Sequence, residues 1–380
     1  MISIIGAGIG GLSLALALEK LNIDYQVFEK TNSIKTVGAG IWLAPNALQI
    51  LEWLGILESI QSNGNSINRI TIATHDLKPL SDSCQQFIKD KFGYCTIAIH
   101  RAKLQEILLQ NIPNEKIKLG KSLRTFEKLT DDTIKITFED TSQIETNYLI
   151  GADGIHSKVR KQLFPTNIIR YSGQTCWRGV ADIEIEDRFK HQGIEMWGNQ
   201  IRFGISRIAS KKTYWFAVIT SKSNSNSIFL DVKKYLIDMF SPFHPIVGKL
   251  ILNTDECNII KGDINDIQPL KYWYKDNICL IGDAAHCATP DLGQGGAQAI
   301  EDAYYLSHLI AQESEISNAY PKFQKKRRKK VNTIVTQSRS IEKIAHLKYG
   351  KRLRNLILKN IPKSMSAKKM IELYQIEKNN

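Results

Sequence analysis

Gly6, Gly8 and Gly11 space out the pattern G-x-G-x-x-G immediately after an apolar run containing Ile2, Ile4 and Ile5. The chemistry open to such a turn is the holding of an anion. The first glycine permits a tight turn, the second lets the backbone approach a pyrophosphate, and the third lets helix and strand pack closely. The helix N-terminus supplies oriented N–H donors. Glu29 lies where a carboxylate accepts hydrogen bonds from both hydroxyls of an adenosine ribose. The set points to an adenine dinucleotide rather than a fortuitous glycine turn, and it does not choose between NAD and FAD. Two later stretches, GADGIHSKVR at 151–160 and GDAAH at 282–286, each place an Asp beside glycine directly after an apolar strand. Short side chains at these places let the backbone approach a ligand. A fourth stretch, PDLGQGGAQAIEDA at 290–303, is a glycine-rich loop opening a helix.

The elements that must position these residues can be traced through the chain. ISII forms a strand, and a helix carrying Leu12, Leu14, Ala15, Leu16, Leu18 and Leu21 follows it. YQVFEK then returns as a second strand ending at Glu29, and right-handed crossover makes the two strands parallel neighbours. Residues 97–111 carry Leu104, Ile107 and Leu108 on one face and predict a helix led by His100 and Arg101. TIKITF and NYLIGADG read as strands. From 172 to 260 short alternating stretches broken by Gly, Asn and Ser predict a mostly antiparallel sheet, with SKSNSNS at 221–227 as a loop. ICLIG then restores the parallel style. The expected fold is therefore α/β: a Rossmann-like domain with a parallel sheet, interrupted by a mainly antiparallel β-sheet substrate domain, plus C-terminal helices. The expected boundaries are 1–70, 97–171 and 272–340 for the nucleotide domain, 71–96 and 172–271 for the substrate domain, and 341–380 for a basic helical segment.

Composition narrows the class. Hydrophobic residues at 43% and charged residues at 23% exclude a disordered or low-complexity chain. No apolar run approaches the roughly 18–20 residues of a spanning helix, and no basic region precedes an N-terminal apolar stretch, so a cytoplasmic protein without integral membrane contact is expected. Cys84, Cys95, Cys176, Cys257, Cys279 and Cys287 form no CxxC pair, which signals neither a metal site nor a dithiol centre. The formal net charge of +13 belongs to the tail, because residues 321–380 hold 18 Lys or Arg against three Glu. KKRRKK at 325–330 could meet nucleic acid or an anionic membrane. The apolar Val331, Ile334 and Val335 that follow favour an amphipathic helix with a solvated basic face, and no nucleic-acid partner is expected.

The ordered set of motifs resembles the single-component FAD-dependent aromatic hydroxylases, the flavoprotein monooxygenases built like para-hydroxybenzoate hydroxylase, from Met1 to about Arg339. The resemblance implies that Gly8, Gly10 and Gly11 line the FAD pyrophosphate and that Glu29, with Lys30 beside it, holds the adenosine ribose. Gly40, Ile41 and Trp42 match the loop beside the ribityl chain and flavin ring. Arg101 matches the arginine that approaches the phosphate and ribityl region, and Leu123 the backbone contact to adenine. Asp153 matches an aspartate linked to both FAD and NAD(P)H, with Arg160 and His156 as weaker neighbours. Asp283 matches the residue that binds ribityl hydroxyls. Gly293, Gln294, Gly295, Gly296 and Ala297 form the flavin-edge loop, whose N–H groups would stabilise negative charge on the reduced ring. Asn often follows GQG in the family; here Gly296, Ala297 and Gln298 do, which bears on the subfamily more than on flavin binding.

The activity this implies is hydroxylation of an aromatic or heteroaromatic small molecule through a flavin C4a-hydroperoxide, with NADH or NADPH as transient reductant and dioxygen as co-substrate. The single G-x-G-x-x-G accords with nicotinamide bound transiently, and no WxWxIP of the halogenase branch occurs. Trp177, Trp197, Phe203, Tyr214, Trp215 and Phe216 are candidate pocket walls, with sheet core as the plainer reading. Arg202 and Asp291 resemble the substrate-orienting pair of the urate-hydroxylating branch; a surface ion pair and a helix N-cap are the alternatives. His286 is a candidate acid or base, or a residue packed behind the flavin loop, and Arg178 is similarly ambiguous. Competing classes are a flavin reductase or dehydrogenase without oxygen transfer, and a flavin-containing protein that uses its basic tail on nucleic acid or membrane. A monomer or a homodimer fits equally.

Overall fold

The computed structural model describes residues 1–34, 39–129, 133–222 and 231–377, with 363–366 described by their backbone. Most of the SKSNSNS stretch, together with Val37 and Gly38, lies outside the described residues.

Ile2–Ile5 runs parallel to Tyr25–Phe28 on one side and to Tyr148–Gly151 on the other, pairing Ile4 with both Val27 and Ile150. These strands are short and almost wholly apolar because both faces are covered: Ile2, Ile4 and Val27 have no exposed surface. The sheet has six strands, extended by Ile278–Leu280 and Tyr274–Lys275 at one edge and Ile117–Lys118 at the other. The first helix, Ile9–Lys20, is buried along most of its length and packs against a second buried helix, Gly295–Gln312.

A second sheet of seven strands takes Arg69–Thr74 and Pro79–Cys84 from one stretch of the chain and five strands between Ile169 and Ile267 from another. It is antiparallel except where Gln192–Trp197 lies parallel to Arg69–Thr74. Its own core gathers Trp177, Phe203, Trp215, Phe240 and Leu250, with the Phe203 and Trp215 rings stacked at 5.5 Å.

Two sequence expectations are corrected. Residues 97–100 are not helical: Thr96–His100 is a strand whose alternating Ile97 and Ile99 pair antiparallel with Gly40–Leu43, and the helix is Arg101–Gln110. His100 instead caps that helix, its Nδ1 accepting from the Ala102 N–H. KKRRKK is not one solvated face, because Arg327 is 1% exposed. It lies in a 27-residue helix, Ala319–Ala345, that crosses the expected boundary at residue 340. Two shorter helices, Lys351–Lys359 and Lys363–Tyr374, follow it.

Candidate active site

The glycine turn is shaped by contacts that exclude a side chain. A Cβ on Gly11 would lie 2.0 Å from the Gly6 carbonyl oxygen, and one on Gly6, at φ +107°, would lie 2.6 Å from the Ala152 oxygen. A Cβ on Gly8 would meet nothing within 4 Å, so the turn opens outward there. No side chain caps the first helix, which leaves its leading N–H groups available to an anion. Glu29 stands beside the turn, accepting from Ala7 N–H at 2.8 Å and from Thr31. Lys30 is exposed next to it.

Three further segments converge on this turn. Gly10 faces Ala299 of the Gly295–Gln312 helix, whose N-terminus likewise has no side-chain cap. Gly296 faces the Ile41 side chain and Gly295 faces Asp283. Gly282, at φ +56°, turns the chain into GDAAH, and its N–H donates to Asp302. Asp283 is accessible, yet protein surrounds it closely enough that desolvation raises its pKa against the pull of His286, Arg101 and Arg160. Arg101 is exposed at the start of its helix. Two uncapped helix N-termini, a turn open at Gly8 and an accessible carboxylate fit the diphosphate, ribose and polyol portions of a flavin dinucleotide.

Other expected contacts point elsewhere. Strand alternation turns Trp42 away from Ile41, so its indole donates to Ser206 Oγ at 2.9 Å and covers Gly193 of the seven-stranded sheet. Gly40 packs against the Tyr214 ring. Leu123 is buried, and its carbonyl accepts from Lys158 Nζ at 2.6 Å. Asp153 caps a short helix by accepting from Lys158 and Val159 N–H, while its Oδ1 is buried without a partner; burial raises this carboxyl's pKa. Arg160 donates to the carbonyls of Asp283 and Ala284, tying GADG to GDAAH. His286 does not face the open side: its Nε2 lies 2.6 Å from Asp302 Oδ2 and its ring packs on Trp273.

Behind the glycine-rich loop lies a buried ionic network that sequence reasoning missed. Arg327 donates to Asp302 at 2.8 Å, to Gln298 Oε1 at 2.6 Å and to Glu301. Glu301 also accepts from Lys330, Asn46 and Gln298, and Asn46 reaches Gln294 within the loop. Burial pushes the Asp302 pKa up, but the His286 and Arg327 charges outweigh it and hold the carboxyl below its usual range. The available signal was spacing: Arg327 falls four residues after Phe323 and four before Val331, on the apolar stripe.

A second polar cluster joins the loop to the seven-stranded sheet. Arg202, 2% exposed, donates to Glu195 at 3.0 Å and faces Asp291 Oδ1 at 2.5 Å. This is an ion pair without hydrogen-bond geometry, so both Asp291 oxygens and Arg202 Nε are buried and without hydrogen-bond partners. His346 Nδ1 meets Thr220 Oγ1 at 2.9 Å, leaving Nε2 unsatisfied. Burial lowers the His346 pKa to about 3, helped by Arg202. Burial, then Asp291, raises the Glu342 pKa to about 7 against Arg339 and Arg202. Glu342 and His346 come from the end of the 27-residue helix, 140 residues and more from Arg202, which is why spacing did not bring them together on paper. Among the aromatic candidates, Trp177, Trp197, Phe203 and Trp215 are buried in the sheet.

The model of the FAD binding domain family matches residues 1–338. The chain is 34% identical over 341 residues to aurachin C monooxygenase/isomerase of Stigmatella aurantiaca, covering 90% of this chain and 88% of that one. It is 29% identical over 366 residues to 2-heptyl-3-hydroxy-4(1H)-quinolone synthase of Pseudomonas aeruginosa, covering 94% and 93%. The crystal structure of Klebsiella pneumoniae HpxO complexed with FAD and uric acid superposes with a TM-score of 0.91 at 27% identity, covering 98% of this chain and 96% of that one.

Proposed function

The chain belongs to the FAD binding domain family as an FAD-dependent monooxygenase of the aromatic hydroxylase type, and from that premise we propose that it hydroxylates a heteroaromatic small molecule at the expense of NADH or NADPH. The balance is one substrate C–H, one dioxygen, one NAD(P)H and one proton giving C–OH, water and NAD(P)+. Bound FAD supplies the redox and oxygen chemistry. Gly8, Gly10, Gly11, Glu29, Lys30, Arg101 and Asp283 are proposed to hold it, with Ile41 and the Gly293–Ala297 loop beside the ring.

The observation that carries the reading is the set of unsatisfied buried atoms next to that loop. Buried polar atoms without partners are rare in proteins, and each calls for a water or a ligand. Arg202 Nε offers a donor and Asp291 offers acceptors, a pairing suited to a ring that bears both N–H and C=O groups. The uric acid and quinolone named for two relatives are of that kind. Arg202 and Asp291 then orient the ring and are not asked to transfer protons. His286, held by Asp302, positions the GDAAH turn. The Trp42–Ser206 bond ties the strand that carries Ile41 to the seven-stranded sheet.

The test is turnover under 18O2 with urate, quinolones and phenols, NADH or NADPH, and mass analysis of the product. Substrate-stimulated NAD(P)H oxidation with one labelled oxygen in the product is expected. Stimulated oxidation that yields only unlabelled product would establish a reductase or dehydrogenase instead.

A further inference from the structure

The flavin chemistry leaves the surface of the basic tail unused. Among the described residues, half of the exposed large hydrophobic side chains fall within 344–357: Ile344, Leu347, Tyr349, Leu353, Leu356 and Ile357. Tyr349 is 77% exposed and Leu353 63%. At about 100° per residue, Leu353, Leu356 and Ile357 share one face of the Lys351–Lys359 helix. The flank of that face beside Ile357 is fixed to the body. Arg354 is buried there, donating to the Ala345 carbonyl at 2.9 Å with its guanidinium 5.1 Å from the Trp197 ring. The apolar face is therefore held outward by packing.

Charge identifies what covers it. Between Glu342 and Glu372 there is no carboxylate and there are nine Lys or Arg. Lys343, Lys348, Arg352 and Lys359 are exposed around the apolar face, and among the described residues none of them is in an ion pair. A second copy of this chain would set like charge against like charge, and a nucleic acid would leave the leucines uncovered. A surface with anionic headgroups over a hydrocarbon interior satisfies both halves of the pattern. We propose that the face built from Ile344 to Ile357 docks peripherally on an anionic lipid bilayer, the leucines entering the headgroup boundary and the cations meeting the lipid phosphates. No helix among the described residues is long and apolar enough to cross a membrane, so the contact lies in the plane of the surface.

The experiment is co-sedimentation of the full FAD-loaded chain with vesicles of phosphatidylcholine, with and without phosphatidylglycerol. The protein is expected to pellet with the anionic vesicles, to stay in solution with the neutral ones, and to be released by salt. The variant carrying Leu353→Asn, Leu356→Asn and Ile357→Asn should bind about tenfold more weakly while keeping its flavin content and NAD(P)H oxidation. Arg352→Glu with Lys359→Glu should do the same, which covers the case in which the first variant does not fold. Failure of the wild type to pellet with anionic vesicles overturns the proposal, as does equal binding by both variants. A dimer in light scattering that the leucine variant abolishes, with no vesicle binding, would assign the face to a second copy.

Discussion

Replacing Arg327 by Met removes the centre of the buried network while keeping much of the side-chain volume. Asp302 loses its 2.8 Å partner, Glu301 loses one of its two cations, and Gln298 loses two bonds. Breaking one side of a buried ion pair costs about 3–5 kcal/mol, because a desolvated charge is left uncompensated. Here Lys330 still serves Glu301 and His286 still serves Asp302, which places the cost near the lower figure, about 3 kcal/mol. With a urea slope of about 3 kcal/mol/M, the midpoint falls by about 1 M. Flavin release should precede global unfolding, since Gln298 and Glu301 reach Gln294 of the loop directly or through Asn46. Urea titrations followed by tryptophan and by flavin fluorescence separate the two events. Arg327→Lys should lie between, keeping the charge but not the planar fork. Adding Glu301→Gln to Arg327→Met should recover some of the loss. A midpoint within about 0.3 M of wild type for Arg327→Met would refute the assignment of the network as a stabilising support.

Glu342 is raised from 4.5 to about 7 in the folded state, so its contribution is full below about pH 4.5 and is lost as pH rises through 7. Wild-type stability should fall by up to about 3 kcal/mol across that window, and Glu342→Gln should remove this component of the slope in urea titrations at stepped pH. Gly11→Ala drives a Cβ into the Gly6 carbonyl and should both destabilise the turn and abolish flavin retention. Gly8→Ala meets no protein atom, so it should fold normally and lose flavin alone, read as flavin absorbance per protein. Arg202→Gln removes the charged donor facing Asp291 and should lower kcat/KM for the aromatic substrate by about 10- to 100-fold, the equivalent of ~1.5–3 kcal/mol. Flavin reduction without substrate should be unchanged, and an equal loss in both would argue for a structural role only.

The features legible in the sequence are those whose geometry is local. The turn from Gly6 to Gly11 is one strand, one bend and one helix, so residue type and spacing determine where each group stands. The same holds for Glu29 at the end of the next strand. Trp42 was legible as a neighbour of the loop but not in direction, because a strand sends adjacent side chains to opposite faces and only the tertiary fold says which face is which. Arg327 and Glu342 were hidden for the reverse reason: each looks like an ordinary charge on a basic helix until Glu301, Asp302 and Arg202 arrive from distant segments. The strand at 96–100 was misread because its four apolar or β-branched residues adjoin a true helical pattern with no glycine or proline between them.

The 27-residue helix is also a strut. Arg327, near its start, is clamped to the helix behind the glycine-rich loop, and Arg339 pairs with Asp266 of the seven-stranded sheet at 2.5 Å. The two anchor points are about 18 Å apart along one rigid rod. Rocking of one sheet against the other would load both clamps at once, because a single rod carries them.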